Sequence, residues 1–378
     1  MRTLDGGNAG GQFLRTALAL SAVRGEAVRI ENVRGARDTP GLRAQHLAAV
    51  RLLREITDAD VHGEEVGATT VAFDPGPPRA GEYAIDVGTA GSLTLLFDAV
   101  LPLASAIDGP LQVRATGGTD VKWSPTMDYF REVKLPLCRS LGLSAGVTVH
   151  RRGFYPAGGG AATLSLGPSR IAAPALTDRG RIERLSIHAT QSRSLADREV
   201  AGRLVDGVLS ELGVPDPRSG AHATVDIGES RTVENEDAGQ RRGHGEHTTG
   251  EGATGRDSSA PITLVTERTV ESDSPGAAVL VGAIGEGVAA GGDAVGERGT
   301  PAEEVGARAA RELRTWLDGD GPVDRHLADQ LVPFVAMVGG TVRSPTVTDH
   351  LQSGVDLLAT LGYDVGLSDS TVVGSGAE

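Results

Sequence analysis

The amino-acid sequence predicts an α/β fold in which helices pack on sheets. Segments with helical spacing of apolar residues alternate with short Val-rich segments along most of the chain. A helix, a polar joint and a strand recur in three places, HLAAVRLLREITDADVHG, FREVKLPLCRSLGLSAGVTVHRRG and LQSGVDLLATLGYDVGLSDS, although amphipathic helices also resemble one another by chance. From about residue 182 the composition changes, which indicates a smaller domain inserted into a larger one.

The first half of the chain contains helical segments separated by strands. Residues 11–24 have apolar residues on one face and end before Gly25, a typical helix terminator. Further helices are predicted at residues 40–56, 91–106 and 127–141. Strands are predicted at residues 27–33, 59–61, 68–73 and 82–87.

The second half contains the predicted insertion. Residues 182–229 have the pattern of a strand, a long helix and another strand, and residues 231–259 form a polar, Gly-rich segment that we expect to be a mobile loop. A further helix is predicted at residues 302–317. We therefore expect one domain made of residues 1–181 and 296–378, and an inserted α/β domain at residues 182–295.

The composition constrains the environment of the protein. The 378 residues carry 50 acidic and 36 basic side chains, a net charge of −14, and only Lys122 and Lys134 are lysines. The acidic surplus and the scarcity of lysine favour a halophilic protein. The alternative is a GC-rich codon bias, which also replaces lysine by arginine. The single cysteine, Cys138, excludes an internal disulfide and a multi-cysteine zinc site. The absence of a signal peptide and of an apolar run of about 18 residues favours a soluble, cytoplasmic protein with no membrane partner.

Two Gly-rich loops precede helices and are suited to anions. The first, DGGNAGGQ, spans residues 5–12, and the second, GTAGSLT, spans residues 88–94. Backbone N–H groups and the helix dipole at such a helix start attract phosphate. Neither loop has the Gly-Lys-Ser/Thr of a P-loop, and a purely structural tight turn is the alternative for each.

Several arginines and histidines could carry chemistry. Arginine binds phosphate with two parallel hydrogen bonds, although any one arginine could simply be a solvated surface residue. Those between the two Gly-rich loops, with their polar neighbours, are Arg15, Arg34, Arg37, Arg43, Gln45 and His46. No histidine pair has the spacing of a metal site such as HExxH, and His326 and His350 each lie at the start of a predicted helix. The string RRGFYPAGGG at residues 151–160 has the pattern of a hairpin.

Taken together, these strings resemble the RNA 3′-terminal phosphate cyclase family. The resemblance covers roughly residues 1–165 and 296–365 and rests on LDGGNAGGQFLRTALALS, VRGARDTPGLRAQHL, VGTAGSLTLLFDAVLP, TGGTDVKWSPTMDYF, RRGFYPAGGG and DRHLADQLVPF, in the family's order. It implies a large domain of three repeated βαβαββ-type units and a smaller inserted α/β domain that resembles the C-terminal domain of translation initiation factor 3.

The resemblance also implies a three-step reaction on RNA 3′-phosphate ends. A histidine attacks the α-phosphorus of ATP and becomes a histidyl-AMP, and the AMP then passes to the RNA 3′-phosphate. The neighbouring 2′-OH displaces AMP and closes a 2′,3′-cyclic phosphate. Adenylation makes chemical sense because a phosphomonoester is a poor electrophile without a good leaving group. A divalent metal, Mg or Mn, should neutralise the ATP.

The matching positions assign roles to individual residues. His350 matches the nucleophile, and the ATP contacts match Pro125 and the segment His326, Leu327, Ala328, Asp329 and Gln330. We expect the path of the RNA phosphate to be lined by Arg15, Arg34, Arg37, Gln45 and His46. Two residues depart from the family pattern: Asn8 replaces the usual metal-binding glutamate and is a weaker ligand, and Asp98 replaces a glutamine and would add charge near ATP.

Two other functions remain open on the sequence alone. A catalytically silent relative, similar to cyclase-like ribosome-biogenesis proteins, is disfavoured by the presence of His350 and favoured by Asn8. An enolpyruvyl transferase, a distant relative with repeated βαβαββ units, is disfavoured by RGFYPAGGG and HLADQ.

The net charge of −14 has to be considered segment by segment. It argues against binding along a nucleic-acid backbone, yet residues 1–54 carry nine basic and four acidic side chains, a balance of +5. In high salt, screening and weak counterion release leave short-range contacts as the source of affinity. Binding of a single terminal phosphate is therefore compatible with the overall charge.

Overall fold

The computed structural model describes residues 1–226 and 259–376, and it shows a mixed α/β protein. The predicted loop at residues 231–259 lies outside the described residues, apart from Ser259, which begins a strand. Within the described residues, no helix is long and apolar enough to cross a membrane.

Nine α-helices are present in the described residues. They are α1 (Gly11–Arg24), α2 (Ala44–Thr57), α3 (Leu93–Asp98), α4 (Met127–Tyr129), α5 (Leu135–Ser140), α6 (Val200–Leu212), α7 (Ala302–Leu317), α8 (Arg325–Val338) and α9 (Asp349–Thr360).

The described strands fall into four sheets. They are β1 (Arg2–Asp5), β2 (Val28–Glu31), β3 (Asp60–His62), β4 (Val71–Asp74), β5 (Gly81–Asp86), β6 (Leu111–Gly117), β7 (Ala145–Arg151), β8 (Gly160–Leu166), β9 (Ala175–Leu176), β10 (Ile182–Ser192), β11 (Thr224–Asp226), β12 (Ser259–Val270), β13 (Ala277–Gly285), β14 (Val288–Val295), β15 (Gly340–Arg343), β16 (Val365–Ser368) and β17 (Thr371–Gly374).

The predicted helices are present, but two of them are interrupted. The predicted helices 11–24 and 302–317 are α1 and α7, with the same bounds. The segment 91–106 is divided into α3 and a 3₁₀ turn, Leu101–Ser105, which contains a proline that cannot continue the hydrogen-bond ladder. The segment 127–141 contains a π turn, Phe130–Lys134, between α4 and α5. Pro136, which lacks an N–H, is the second residue of α5, just after this turn.

Three sheets have four strands each and share one arrangement. Their strand orders are β1-β2-β4-β3, β5-β6-β8-β7 and β9-β15-β17-β16. In each, the first pair is parallel and the other two pairs are antiparallel. The remaining sheet has five strands in the order β11-β12-β10-β13-β14.

The apolar side chains form two cores. The larger contains α1, α2, α8 and α9 with the four-stranded sheets, and runs from Leu4 to Val372. The second packs α6 and α7 on the five-stranded sheet, from Ile182 to Leu317. Helix α7 therefore belongs to the second core, although it lies beyond residue 295; the domain boundaries themselves stay predictions.

Candidate active site

His350 lies in the first turn of α9, opposite the start of α1. It is exposed, and it lines a cleft of about 260 Å³ together with residues of both helices: Gly10, Gln12, Phe13, Thr16, Ser353, Gly354 and Leu357. A Cβ atom on Gly10 would lie 3.9 Å from His350 Cε1 and 3.5 Å from Arg37 Nη2. The fold thus brings the predicted nucleophile and a predicted phosphate-binding arginine to one end of α1.

A second cleft adjoins the first along α1. It encloses about 400 Å³, including its opening to solvent, and shares Gln12 and Thr16 with the His350 cleft. Its other walls contain three predicted site residues, Arg15, Asp98 and Gln330. The two clefts therefore border each other along α1, where Gln12 and Thr16 line both of them.

Arg15 is a buried cation without a partner among the described residues. Its side chain is only 8% exposed, and within the described ranges no hydrogen bond or ion pair to it is present. Burial lowers the pKa of Arg15 to about 10, partly offset by Asp98. Because Arg15 lines the second cleft, its charge faces a space in which a bound anion would pair with it.

His46 is held as a neutral imidazole beside Arg15. Its Nδ1 accepts a hydrogen bond from the Arg43 backbone N–H at 3.2 Å, which leaves the proton on Nε2. Burial and the positive charges of Arg15, Arg34 and Arg43 lower the pKa of His46 to about 3. His46 Nε2 is therefore a hydrogen-bond donor at ordinary pH.

Gly11 makes room for this pair. A Cβ at this position would overlap His46 Nε2 and would lie 3.1 Å from Arg15 Nη1. Gly10 caps α1 without a side-chain hydrogen bond, and the first turn has no acidic residue. The free N–H groups of α1, together with Arg15, Arg37 and His46, form a positive region in which an anion is favoured.

The other predicted phosphate contacts are partly engaged in the fold. Arg34 Nη1 donates to the carbonyl oxygens of Thr39 and Gly41, each at 3.0 Å. Partial burial, with Arg37 and Arg43, lowers the pKa of Arg34. Gln45 Oε1 accepts from the backbone N–H of Ser92 at 3.2 Å and so joins α2 to the second Gly-rich loop.

Asp98 does not leave an uncompensated charge beside the cleft. Its carboxylate forms an ion pair with Lys134 Nζ, and Lys134 is fully buried. The negative charge that the sequence places here is therefore balanced by one of the two lysines in the chain. Whether Asp98 contacts ATP stays a prediction.

The segment His326–Gln330 divides into buried and cleft-facing residues. Leu327 and Ala328 are fully buried in the larger core, so their side chains support the segment from within. Gln330 lines the second cleft. His326 is exposed, and its Nε2 accepts from Arg325 Nε at 3.2 Å.

Asp329 connects this segment to the helix that carries His350. Thr348 Oγ1 donates to Asp329 Oδ1 at 2.7 Å. Thr348 Oγ1 also caps α9, because it accepts a hydrogen bond from Leu351 N–H at 2.9 Å. Burial, with a smaller contribution from Asp324, raises the pKa of Asp329 to about 7. Thr348 was missed by sequence reasoning, although a threonine just before a helix is a recognisable N-cap.

Pro125 and His326 are joined through a second network. Pro125 immediately precedes Thr126, which caps α4, and Tyr129 of α4 donates its hydroxyl to Asp324 Oδ2 at 2.7 Å. Asp324 caps α8 by accepting from the N–H groups of His326 and Leu327, each at 2.9 Å. Asp324 and Tyr129 were also missed, although an aspartate before HLADQ is a cap signal.

Asn8, the predicted metal ligand, is exposed in the loop before α1. Nearby, Asp5 accepts from Gly7 N–H and Asn32 Nδ2. In the part of the chain that the structure describes, no group of three His, Cys, Asp or Glu residues is arranged to hold a metal ion.

Comparison with known proteins identifies the family. A family model described as RNA 3′-terminal phosphate cyclase matches residues 6–363. A Halobacterium salinarum protein named RNA 3′-terminal phosphate cyclase is 42% identical over 376 residues, covering 97% of this chain and 96% of the relative. A Pyrococcus abyssi protein of the same name is 36% identical over 357 residues, covering 94% and 91%.

Among solved structures, the enolpyruvyl transferase NikO from Streptomyces tendae aligns over 44% of this chain and 32% of its own, with 18% identity and a TM-score of 0.27. That score is too low to support an argument about fold or function. The family model and the two cyclase relatives, by contrast, span nearly the whole chain. The chain belongs to the RNA 3′-terminal phosphate cyclase family.

Proposed function

We propose that this protein converts an RNA 3′-terminal phosphate into a 2′,3′-cyclic phosphodiester with consumption of ATP. The observation that carries the proposal is the position of His350, which faces the uncapped start of α1 in a cleft that adjoins the cleft of Arg15, a largely buried cation with no hydrogen bond or ion pair among the described residues. A nucleophile and a candidate anion site thus lie on neighbouring parts of α1, as nucleotidyl transfer requires.

His350 supplies the electron pair in the first step. A lone pair of its imidazole attacks the α-phosphorus of ATP, a P–N bond forms, and the bond to the bridging oxygen breaks with release of pyrophosphate. An oxygen of the RNA 3′-phosphate then attacks the same phosphorus, and the imidazole leaves with its electron pair restored. In the last step the 2′-oxygen attacks the RNA phosphorus, loses its proton, and displaces AMP.

The residues around α1 hold the phosphates in these steps. Arg15, Arg37 and the free N–H groups of α1 supply positive charge, and neutral His46 supplies an Nε2–H donor. The Asp329–Thr348 hydrogen bond fixes the first turn of α9 and thereby the direction of the His350 ring. Pro125 and His326 are suited to contact the two faces of the adenine, since each provides a flat, partly apolar surface.

The residues present fit ATP better than they fit a protein-bound metal. Asn8 offers one neutral oxygen, and a divalent ion prefers several oxygen ligands, often carboxylates. A Mg or Mn ion would be held mainly by the triphosphate, with Asn8 as a weak protein ligand. When bound, the ion would neutralise phosphate charge.

We infer that the domain organisation follows the family pattern. The shared strand arrangement of the three four-stranded sheets supports three repeated βαβαββ-type units. The separate core of the five-stranded sheet supports a smaller inserted α/β domain near residues 182–295. The acidic surplus and near absence of lysine support a halophilic protein.

A catalytically weak relative that serves RNA processing or ribosome biogenesis is the second candidate. Asn8 favours it, because the loss of a carboxylate would weaken metal binding. His350 disfavours it.

Transfer of label from α-labelled ATP to the protein tests the proposal. We expect a covalent protein–AMP adduct with wild type and none with His350→Ala. Ser353→Ala, one turn further along the same cleft, should still label. A folded wild-type protein that never labels in molar salt, with either Mg or Mn, would favour the silent relative. Conversion of a 3′-phosphorylated oligoribonucleotide to the cyclic form, followed by thin-layer chromatography, tests the later steps.

A further inference from the structure

Tyr155 is one of only two strongly exposed aromatic residues in this chain. The sequence has six phenylalanines, four tyrosines and two tryptophans, and all twelve lie in the described residues. Trp123 and Tyr155 are 95% and 73% exposed, whereas the other aromatic side chains are buried or half-buried. A single exposed apolar residue is ordinary on a protein surface. The function of Tyr155 therefore has to be judged from the residues that surround it.

The turn that presents Tyr155 is fixed on both sides. Its neighbour Phe154 is 2% exposed and packs directly on Gly276. The turn is closed by a hydrogen bond from Gly158 N–H to Phe154 C=O at 2.8 Å, and Ala157 N–H donates to Ser274 Oγ at 3.0 Å. The backbone is therefore held rigidly, while within the described residues the Tyr155 hydroxyl has no hydrogen-bond partner.

The turn lies directly against the second Gly-rich loop. Gly158 has φ +72°, and a Cβ there would lie 2.8 Å from Ala90 Cα and 2.9 Å from Thr89 O. Only glycine combines this backbone conformation with so close an approach. The RGFYPAGGG string thus keeps the turn that carries Tyr155 against the loop at residues 88–91 through Gly158.

That loop leads to the phosphate-binding residues. Gly91 packs on Gln45, because a Cβ on Gly91 would lie 3.1 Å from Gln45 Cβ, and Ser92 N–H donates to Gln45 Oε1 at 3.2 Å. Gln45 directly precedes His46, the neutral donor of the candidate active site. A chain of contacts therefore links the turn that carries Tyr155, through the second Gly-rich loop, to Gln45, the sequence neighbour of His46.

We propose that Tyr155 is a stacking platform for a nucleobase upstream of the RNA 3′-phosphate. This inference rests on the proposed function and assigns it an RNA subsite. Aromatic faces bind bases of single-stranded RNA by stacking, largely without regard to sequence. The adenine contact of the active site is assigned to Pro125 and His326, which leaves Tyr155 for the RNA.

The charges around the turn favour a base over a backbone phosphate. Arg151 is the cation next to the turn, and it is paired with Asp273. Arg152 is buried and paired with Asp120 and Asp128. Stacking, unlike long-range attraction, is not screened by salt, so it suits a protein with a net charge of −14.

Kinetics with two substrates test this subsite. A 3′-phosphorylated oligoribonucleotide has bases upstream of its end, whereas a nucleoside 3′-monophosphate has none. Tyr155→Ala should raise KM for the oligonucleotide by about 5- to 150-fold, the range expected for loss of one base–aromatic stack. KM for the nucleoside 3′-monophosphate should change less than twofold. Tyr155→Phe should restore oligonucleotide KM, and Tyr155→Leu should not.

Controls separate the possible failures. Leu264→Ala removes another exposed apolar side chain, on β12, and should leave oligonucleotide KM unchanged. Three results would overturn the inference. Tyr155→Ala could raise KM for both substrates by the same factor, or leave the oligonucleotide KM unchanged. Tyr155→Phe could raise the oligonucleotide KM as much as Tyr155→Ala does. If wild type labels with AMP but never cyclises RNA, the proposed function fails instead. Fluorescence anisotropy with a labelled 3′-phosphorylated oligoribonucleotide then still measures whether Tyr155→Ala weakens RNA binding.

Discussion

Two buried arginines of this protein have opposite surroundings. Arg15 is 8% exposed and has no partner among the described residues, whereas Arg152 is 4% exposed and forms ion pairs with Asp120 at 2.9 Å and with Asp128 at 2.6 Å. Burial lowers the pKa of Arg15 to about 10. Burial acts on Arg152 in the same direction, but the two carboxylates outweigh it and raise its pKa.

The difference shows how structure distinguishes a binding residue from a structural one. Arg152 completes a network that fixes the base of the Tyr155 hairpin, and its charge is satisfied in the folded protein itself. Arg15 lacks only an anion, which the start of α1 is arranged to receive. Proximity to a Gly-rich segment does not separate the two, since both arginines have such a neighbour; the prediction for Arg15 also used its place between the two Gly-rich loops.

The largest expected effect is on the free energy of unfolding when the buried Arg152 ion pairs are removed. Arg152→Met should lower the free energy of unfolding by about 3–5 kcal/mol, because Asp120 and Asp128 would remain buried without their partner. Urea unfolding in constant molar salt measures this. Arg151→Met, which removes the exposed neighbouring arginine, is the matched control and should cost less than about 1 kcal/mol. Equal losses in the two variants would contradict the comparison.

Arg15→Met should change activity strongly and stability little, the opposite of Arg152→Met. Removal of a buried cation that has no partner in the described residues should leave the free energy of unfolding unchanged or slightly raised. Cyclisation of a 3′-phosphorylated oligoribonucleotide should fall by about 100-fold or more, as it does when a preorganised donor to a developing charge is lost. Cyclisation rates at saturating ATP, with urea unfolding of the same samples, measure both quantities. A stability loss as large as that of Arg152→Met would show that Arg15 is structural.

A methyl group on Gly11 should disturb the same site without unfolding it. In Gly11→Ala the new Cβ would displace the His46 ring and crowd Arg15, so cyclisation should fall by about tenfold or more. Alanine is also the better helix former, which keeps α1 intact. Gly366→Ala is the control, because a Cβ there meets no atom within 4 Å. Near-normal RNA cyclisation by Gly11→Ala would argue against a role for His46.

The smallest expected effect concerns the proton on Asp329. The pKa of Asp329 is raised to about 7 in the folded protein, above its value of about 3.9 in an unfolded chain. The folded protein therefore holds a proton that the unfolded chain releases between these values. This proton stabilises the folded protein relative to the unfolded chain at about pH 4, and the stabilisation is lost as the pH rises to about 7.

Asp329→Asn cannot titrate and should not show this loss. The stability of the variant relative to wild type should therefore increase by about 1 kcal/mol or more between about pH 4.5 and pH 7, since one pKa unit corresponds to about 1.4 kcal/mol. Urea unfolding across this pH range provides the test. Parallel pH profiles for the two proteins would show that Asp329 has an ordinary pKa.

Sequence reasoning was most successful where local pattern determines structure. Helices α1 and α7 have the predicted bounds because their apolar faces and terminators are local signals. The segment 127–141 is not the single helix that the sequence predicts, because a π turn interrupts it before Pro136. The pattern of apolar residues does not distinguish a π turn from an α-helix. The family resemblance indicated His350, and the chemistry and placement of Arg15 indicated a phosphate contact; the structure places the two residues in adjoining clefts that share Gln12 and Thr16.

Contacts between distant segments could not be predicted in this way. The Asp98–Lys134 pair joins residues on different helices, and the Tyr129–Asp324 hydrogen bond spans more than half of the chain. Neither has a spacing that marks it in a single sequence. Thr348 and Asp324, by contrast, do have a local signal, since each occupies an N-cap position.

The burial of Lys134 has a practical consequence for labelling. With Lys134 fully buried, Lys122 is the remaining lysine of the sequence, and its side chain is 47% exposed in an ion pair with Glu297 at 2.8 Å. Amine-reactive dyes or surface linkers should therefore attach at one side chain and at the N-terminal amine. A fluorophore on Lys122, adjacent to Trp123, would mark a single lysine for following this enzyme family member at molar salt.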